Sequence, residues 1–387
     1  MKGIINVNSV ERVTKTIEFG SPDRFPIMHA VLPAAWLKYK DSLHSILKKY
    51  PSYLNNGLKN GDLTKSGQAS AGYETGEEIA RQYVIEDDFI FVGPRSYQHG
   101  PSVQKGFQSD EWGCIWEKAD PGIAGQVIHH PLSRYINNEA NGDFINNYNF
   151  PDPDALWRYD VSFLTKQKEY SKKHGKYFLA YIGNLFELLQ WLFGFENLMT
   201  GFYIEKKKIN KILEKIIYYN IATMKNLSKY NINGVIMNDD WGTQNSLMVN
   251  PDTWREFFKP AYREIISESK NLNLHSFFHT DGNTIEIIED LIEVGVDVIN
   301  PQLSAMDMEK LSDICKGRVC IRTDIDRQRI LPYGSKMEVR EHVRKIIKLF
   351  GTKKGGLILS GEINSDTNLE NIKEMYESFE HFGVLSS

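Results

Sequence analysis

Short apolar runs alternate with amphipathic segments through the second half of the chain, and this alternation predicts the fold. Six such runs lie at 177–182, 234–238, 274–278, 296–299, 319–322 and 356–360. Segments with helical spacing of apolar residues flank and separate them, at 185–199, 205–230, 251–270, 284–293, 307–315, 335–350 and 369–382. Earlier runs at 25–31 and 88–92 bring the number of predicted strands to eight. Eight strands alternating with helices favour an α/β fold, a (β/α)8 TIM barrel, formed by residues 1–387 as a single domain.

The N-terminal third predicts additions to the barrel. Apolar residues at helical spacing predict a helix over 8–19, ahead of the first strand, and another over 33–50. Residues 51–80 are rich in Gly, Asn, Ser and Lys and predict a long irregular excursion.

Residues 95–150 differ from the rest of the chain in their pattern of apolar and polar residues. The stretches 107–116 and 125–129 predict short antiparallel strands, so we expect a β-rich insertion that lies over the barrel mouth. A capped helix is predicted over 151–174.

Composition narrows the class of protein. The chain has 387 residues, 41% hydrophobic and 25% charged, and its net charge of −4 gives no reason to expect nucleic-acid or membrane binding. Cys114, Cys315 and Cys320 lack Cys-x-x-Cys spacing, which argues against a disulfide framework or a structural zinc knot. We expect a cytoplasmic protein, because neither a signal-peptide pattern nor a membrane-spanning apolar run is visible.

Polar groups follow the predicted strands at their C-terminal ends, where barrel enzymes carry their chemistry. The opposite strand ends carry nothing comparable, and this asymmetry predicts an enzyme. The candidates are His29, Asp239, Asp240, Trp241, Gln244, His279, Asp281, Asn300, Arg322, Asp324 and Glu362.

His279 and Asp281 end the fifth predicted strand, and three interpretations stay open. They are a pair of metal ligands, or a metal-free catalytic or substrate-binding pair, or a helix-capping aspartate beside an incidental histidine. Zinc accepts both residue types, but two ligands are too few. Glu362 is the candidate third ligand, with Asp324 or water behind it.

The other candidates also carry two interpretations each. Asp239 and Asp240 are close enough for one pKa to rise into the range of a general acid, or one of them caps a helix. Arg322 and Asp324 form a carboxylate clamp or an ion pair.

The aromatic and sulfur side chains are likewise ambiguous. Trp112, Trp116 and Trp241 stack on a planar ligand or pack beneath a loop. We expect Cys315 and Cys320 to be buried and inert.

In this order, several segments resemble the uroporphyrinogen decarboxylase superfamily, and in particular its corrinoid-dependent methyltransferases. The segments are 18–26, 110–116, which resembles a "DEWG" motif, 251–260, 278–283, 295–301 and 366–372. The resemblance covers nearly the whole chain and implies the same barrel fold.

Two departures from the family pattern affect the expected activity. The decarboxylase itself opens with an arginine-bearing segment that holds substrate carboxylates, and residues 31–37 here contain no arginine, which disfavours porphyrinogen decarboxylation. Thiol-activating methyltransferases carry His-x-Cys and a distant cysteine, where this chain has Asp281 and, near the later position, Glu362. Oxygen ligands suit polarising an ether or amine better than activating a thiol.

The resemblance therefore implies methyl transfer between a small methylated donor, a methyl ether or methylamine, and the cobalt of a separate corrinoid protein. In this hypothesis a zinc ion on His279, Asp281 and Glu362 binds the donor heteroatom, and Asp239 or Asp240 protonates it. The corrinoid protein docks at the barrel mouth, where tryptophans hold the body of the donor.

Two other functions stay open. The first is a carboxy-lyase related to uroporphyrinogen decarboxylase, acting on a smaller acid held by Arg322. The second is a non-catalytic binding protein that has kept the barrel.

Overall fold

Parallel strands form a closed barrel in the computed structural model, which describes residues 7–55, 85–95, 106–120, 122, 125–136 and 145–385. The strands, in chain order, are β1 (Ala30–Val31), β2 (Phe89–Val92), β3 (Gly106–Ser109), β4 (Ile115–Lys118), β5 (Gln126–His129), β6 (Tyr177–Gly183), β7 (Gly234–Asn238), β8 (His275–Thr280), β9 (Val298–Pro301), β10 (Cys320–Arg322), β11 (Leu357–Ile358) and β12 (Glu362–Ile363). Seven pair in the order β11-β10-β9-β8-β7-β6-β2. The ring closes where β1 pairs with β12 and Ile27 with Leu359. The predicted (β/α)8 barrel is confirmed.

Helices surround the barrel, mostly as the amphipathic segments predict. They are α1 (Ser9–Ile17), α2 (Pro33–Leu47), α3 (Ser52–Asn55), α4 (Ser133–Ile136), α5 (Val161–His174), α6 (Phe186–Phe193), α7 (Phe195–Ile204), α8 (Lys206–Ser228), α9 (Pro251–Asn271), α10 (Ile288–Val294), α11 (Met308–Cys315), α12 (Ile330–Tyr333), α13 (Lys336–Phe350) and α14 (Leu369–Phe382). The helix predicted to begin at 151 begins ten residues later, because Asp160 supplies the N-cap by accepting the Phe163 N–H at 2.9 Å. Most of the excursion predicted at 51–80 lies outside the described residues.

The insertion contains a three-stranded antiparallel sheet, β3-β4-β5. The stretch predicted as one strand at 107–116 is a hairpin, because Asp110 organises a turn in its middle. The Asp110 carboxylate accepts the backbone N–H groups of Trp112 and Cys114, both at 2.9 Å, and the indole N–H of Trp116 at 2.8 Å. Residues 96–105 and 137–144 of the predicted insertion are outside the described part of the chain.

The core has an inner and an outer layer. The outer layer lies between strands and helices, and the inner layer fills the barrel, where α1 closes the end at which the strands begin. Val13 and Ile17 of α1 join the inner layer with Phe89, Tyr177 and Phe277.

Side-chain carboxylates connect the residues that lead into β1 with those that lead into β2. Asp88 Oδ2 accepts the Ile27 N–H at 2.9 Å, and Asp87 Oδ2 accepts the His29 N–H at 2.7 Å. Arg12 of α1 donates to Asp88 Oδ1 at 3.0 Å, and both side chains of this ion pair are buried. We call this set the seam.

We predict that Asp88→Ala lowers the free energy of unfolding by about 3–5 kcal/mol, because it leaves the Arg12 charge buried with less compensation. Asp88→Asn keeps an acceptor for Ile27 and should lose less. Urea unfolding followed by far-UV circular dichroism measures both. Glu256→Ala, which breaks an exposed pair with Lys206, is the control and should change little. An unfolding midpoint for Asp88→Ala equal to that of the control would contradict the role of the seam.

Candidate active site at the barrel mouth

Inward-facing side chains change from apolar to polar towards the C-terminal ends of the strands. Alternation along each strand means that a residue two positions after an inward residue also points inward. Ile236, Phe277, Val298 and Cys320 belong to the inner core. The polar residues two positions later form what we call the mouth layer: Asn238, His279, Asn300 and Arg322.

Strand register sets the mouth layer at one level of the barrel. Asn238 lies opposite His279, and His279 lies opposite Asn300. Arg322 is level with Asn300, since Ile321 pairs with Ile299 one residue earlier. The same alternation brings Asp240, Asp281 and Asp324 one level higher.

A hydrogen bond to Asn300 fixes the orientation and tautomer of His279. The Asn300 amide N–H2 donates to the carbonyl of Arg322 at 3.0 Å, so its oxygen is the acceptor for His279 Nδ1 at 2.8 Å. The ring therefore carries its proton on Nδ1. Its Nε2 faces Asp240 Oδ1 and Asp281 Oδ1, each at 3.8 Å.

Two glycines let the loops that carry these carboxylates touch. Gly282 has φ +78° and contacts Gly242 so closely that a Cβ on it would lie 2.1 Å from the Gly242 carbonyl oxygen. Gly242 N–H donates to the Asp281 carbonyl at 3.0 Å, and Asp281 N–H donates to Asp240 Oδ1 at 2.9 Å. Side chains at either glycine would separate the two carboxylates.

Arg327 holds the other side of Asp281. Its guanidinium pairs with Asp281 Oδ2 at 2.5 Å and with Glu362 Oε1 at 3.0 Å. Glu362 is thus joined to Asp281 through an arginine, and Asp281 Oδ1 is left to face His279. Arg327 lies in the loop after β10 and was not among the predicted site residues.

A cavity of about 190 Å³ lies below these groups. Its lining includes His279, Asp281, Arg322, Asp324 and Glu362, and an apolar side that contains Val31, Leu32, Pro33 and Phe91. This space is large enough to hold a small organic molecule.

Asp240, His279 and Asp281 fit a divalent metal ion. Their ligand atoms lie within 4.8 Å of one another. Asp281 Oδ1 is shielded from solvent without a hydrogen-bond partner in the protein, and Nε2 of His279 lies 3.8 Å from it. Zinc accepts imidazole and carboxylate ligands, and catalytic zinc sites use three protein ligands with a fourth position left open. The candidate third ligand is therefore Asp240 rather than the predicted Glu362.

Asp239 caps the N-terminus of α6, which is one of the two roles that the sequence allowed for this aspartate pair. Its carboxylate is fully buried and accepts the backbone N–H groups of Leu185, Phe186 and Glu187 at 2.8–2.9 Å, and it also accepts the Tyr262 hydroxyl. Burial raises the pKa of Asp239 to about 6. Because Asp239 points outward to the helices, it is removed from the predicted catalytic set.

Asp240 points inward and keeps about a third of its side chain exposed. Burial, and then the charge of Asp281, raises its pKa above the ordinary value. Glu187, a neighbour that was not predicted, has its pKa raised well above normal by burial and by Asp240. The mouth thus gathers acidic groups that a cation would stabilise.

His29 borders the cavity, but its ring points away from it. Its Nδ1 lies 2.6 Å from the Tyr376 hydroxyl, and Nε2 lies 3.2 Å from the carbonyl oxygens of Tyr50 and Glu86. Burial lowers the His29 pKa to about 4. The inward neighbour Met28 explains why His29 faces outward, so its predicted substrate-binding role is not supported by the side-chain position.

The predicted aromatic contacts are packing contacts. Trp241 is fully buried and stacks on Phe186 at 4.0 Å, and Trp112 meets Tyr219 edge-on at 5.2 Å. Trp116 packs against Trp191 at 5.0 Å. Gln244 is exposed and does not line the cavity. Cys315 and Cys320 are buried free thiols whose pKa values are raised by burial, which is consistent with inert side chains.

We predict opposite consequences for two adjacent carboxylates. Asp239→Ala leaves three backbone N–H groups without their acceptor, so it should lower the free energy of unfolding by about 3–5 kcal/mol. Asp240→Ala loses one accepted N–H and should cost about 1 kcal/mol, while it weakens metal binding. Denaturant unfolding of the two variants, with wild type as control, makes the comparison. Equal destabilisation by both would contradict the division of roles.

Comparison with known proteins agrees with this architecture. A methyltransferase from Methanosarcina mazei has a similar fold, with a TM-score of 0.62 and 13% sequence identity over 97% of this chain and 99% of the other. At that identity the similarity is one of fold. Within the described residues, the helices lack the combination of length and apolar character needed to cross a bilayer.

Sequence relatives lead to the same family. The uroporphyrinogen decarboxylase of Wigglesworthia glossinidia brevipalpis is 25% identical over 262 residues, which cover 63% of this chain and 68% of that protein. The uroporphyrinogen decarboxylase (URO-D) family model matches residues 176–382, which is more than half of the chain. The matched segment carries β6 to β12, with the mouth layer and the carboxylates above it. The chain therefore belongs to the uroporphyrinogen decarboxylase family.

Proposed function

We propose that this protein is a methyltransferase that moves a methyl group between a small methylated donor and the cobalt of a corrinoid protein. The observation that carries the proposal is the group of Asp240, His279 and Asp281, an oxygen and nitrogen ligand set at the open end of the barrel. The fold shared with a Methanosarcina mazei methyltransferase supports the class of reaction.

The proposed ligands determine the kind of donor. The described cysteines, Cys114, Cys315 and Cys320, are buried away from the cavity, so the ligand set lacks thiolate. A zinc ion held by carboxylates and an imidazole would act as a Lewis acid on the heteroatom of a methyl ether or methylamine. Asp239 caps a helix and Asp240 is a proposed ligand, so the proposal assigns no separate general acid.

The remaining residues bind and orient. Asn300 holds His279 with its Nε2 towards the two carboxylates, and Arg327 holds Asp281 with one oxygen free. The apolar side of the cavity, with Phe91, would receive the body of the donor and exclude water. The corrinoid protein would dock on the open face, because its cobalt must reach the methyl group directly. Free thiols suit the reducing cytoplasm that we propose as the location.

The alternative function is a carboxy-lyase. The uroporphyrinogen decarboxylase relative and the Arg322 guanidinium in the cavity favour it. Against it, the residues that line the cavity at the end of β1 and just after it, Val31, Leu32 and Pro33, carry no positive charge. If the protein is a lyase, its substrate is a small acid.

Zinc titration of the metal-free protein tests the proposed ligands. His279→Ala, Asp240→Ala and Asp281→Ala should each weaken zinc binding more than about 100-fold, since even the partners of ligands contribute about 10–100-fold. Glu362→Ala is the matched control and should retain tight binding. Cobalt(II) absorption spectra report the same loss independently of activity. A loss confined to Glu362→Ala would instead restore that residue as the ligand.

Turnover tests the reaction. Wild type should methylate cob(I)alamin from at least one methyl ether or methylamine in a spectroscopic assay, and His279→Ala should not. If no donor methylates the cobalt while a small carboxylic acid releases carbon dioxide, the lyase alternative replaces the proposal.

We predict that Asn300→Leu weakens zinc binding about 10–100-fold, because His279 loses the acceptor that sets its tautomer. Asn300→Asp keeps an acceptor for Nδ1–H and should restore most of the affinity. Competition with a chromophoric chelator measures both constants. Equal affinities for Asn300→Leu and wild type would show that the hydrogen bond does not prepare the histidine.

A further inference from the structure

Unsatisfied polar atoms are concentrated in the cavity beside the proposed metal ligands. Among the described residues, ten side-chain polar atoms are shielded from solvent without a hydrogen-bond partner in the protein. Half of them belong to residues that line this cavity: Asn238, Asp281, Arg322, Asp324 and Ser360. Buried polar groups are nearly always hydrogen-bonded, so such a cluster indicates where a polar ligand binds.

Arg322 is the charged member of this cluster that can recognise an anion. Its Nε is enclosed without a partner, and no described carboxylate forms an ion pair with its guanidinium. The predicted pair with Asp324 is therefore not formed. The other cavity arginine, Arg327, is already paired with Asp281 and Glu362. Burial lowers the pKa of Arg322, because removing the charged guanidinium from water is unfavourable.

Arg322 lines the same cavity as His279 and Asp281 of the proposed reaction centre. It lies in the mouth layer two strands from His279, with Asn300 between them. Two strand spacings correspond to roughly 10 Å between the backbones, and both side chains point into the same cavity. A ligand with an anionic group at Arg322 can therefore place a second group at the metal ligands if one ring or a short chain separates the two.

We propose that Arg322 is a carboxylate-binding residue and that the methyl donor is a small carboxylic acid carrying a methoxy or methylamino group. A single unpaired guanidinium beside Asp324 and Glu362 favours a monoanion over a doubly charged phosphate. The acid group binds Arg322, the body lies against Phe91 and Tyr181, and the heteroatom faces Asp240, His279 and Asp281. The assignment of the methyl group rests on the proposed function, whereas the binding of the carboxylate does not.

Binding measurements with matched probes test the inference without turnover. The probes are 3-methoxybenzoate and methoxyacetate, each compared with its neutral amide, by calorimetry on the zinc-loaded protein. Wild type should bind an acid in preference to its amide. Arg322→Met should weaken that acid about 10–100-fold, the range for a charge-assisted hydrogen bond, and leave amide binding unchanged. Arg329→Met, an exposed arginine outside the cavity lining, is the control.

Thermal unfolding separates this role from a structural one. Removal of a partly buried charge that has no ion-pair partner should leave the unfolding temperature of Arg322→Met at or above that of wild type, and only the shift caused by the acid should disappear. A lower unfolding temperature with an intact shift would overturn the inference, because Arg322 would then be part of a structural ion pair. The inference would also be overturned if wild type bound no acid at millimolar concentrations. Equal affinity of wild type and Arg322→Met for the acid would overturn it as well.

The outcomes distinguish this inference from the proposed function. Acid binding that depends on Arg322, without methylation of cob(I)alamin by any donor, would sustain the carboxylate site and refute methyl transfer. Methylation by neutral ethers, with no preference for acids, would sustain methyl transfer and refute the carboxylate site.

Discussion

The closure of the barrel between its first two strands depends on two consecutive carboxylates. Asp88 and Asp87 accept the backbone N–H groups of Ile27 and His29, just before β1, and the Asp88 N–H donates to the Ile27 carbonyl at 3.3 Å. Arg12 balances the buried charge of Asp88 and brings α1 to the lower end of the barrel. The bond from His29 N–H to Asp87 also fixes which residues of the first strand face the cavity, so the seam connects stability to the shape of the site.

Above that seam, the barrel interior separates packing from chemistry by level. The lower interior is apolar and closed by α1, while the mouth layer and the level above it are polar. Groups such as the Arg322 Nε and Asp281 Oδ1 carry an energetic cost because they are enclosed without partners. Rigid parallel strands below them supply the stability that lets such costs persist at one end of the fold, where ligands can offset them.

The order of strands and helices was predictable because each barrel strand is an apolar run and each helix has one apolar face. The residues facing the cavity were harder to predict, since these strands are apolar on both faces and their alternation is concealed. Counting in steps of two from an inner residue would have kept His279 and Arg322 and excluded His29, Asp239 and Trp241. That starting residue is not evident from one sequence. The Arg327 ion pairs and the close contact between Gly242 and Gly282 join loops that are distant in sequence. No local sequence pattern therefore predicts them.

The two cavity arginines show how the charges of the site are arranged. Arg327 balances Glu362 and turns one oxygen of Asp281 away from His279, so the other oxygen is directed at the proposed metal position. A divalent ion there would balance Asp240 and Asp281. Arg322 would then face Asp324, a carboxyl group whose pKa is raised by burial. The Arg322 guanidinium, two strands from His279, would still lack an ion-pair partner, which a monoanionic donor would supply and a neutral donor would not.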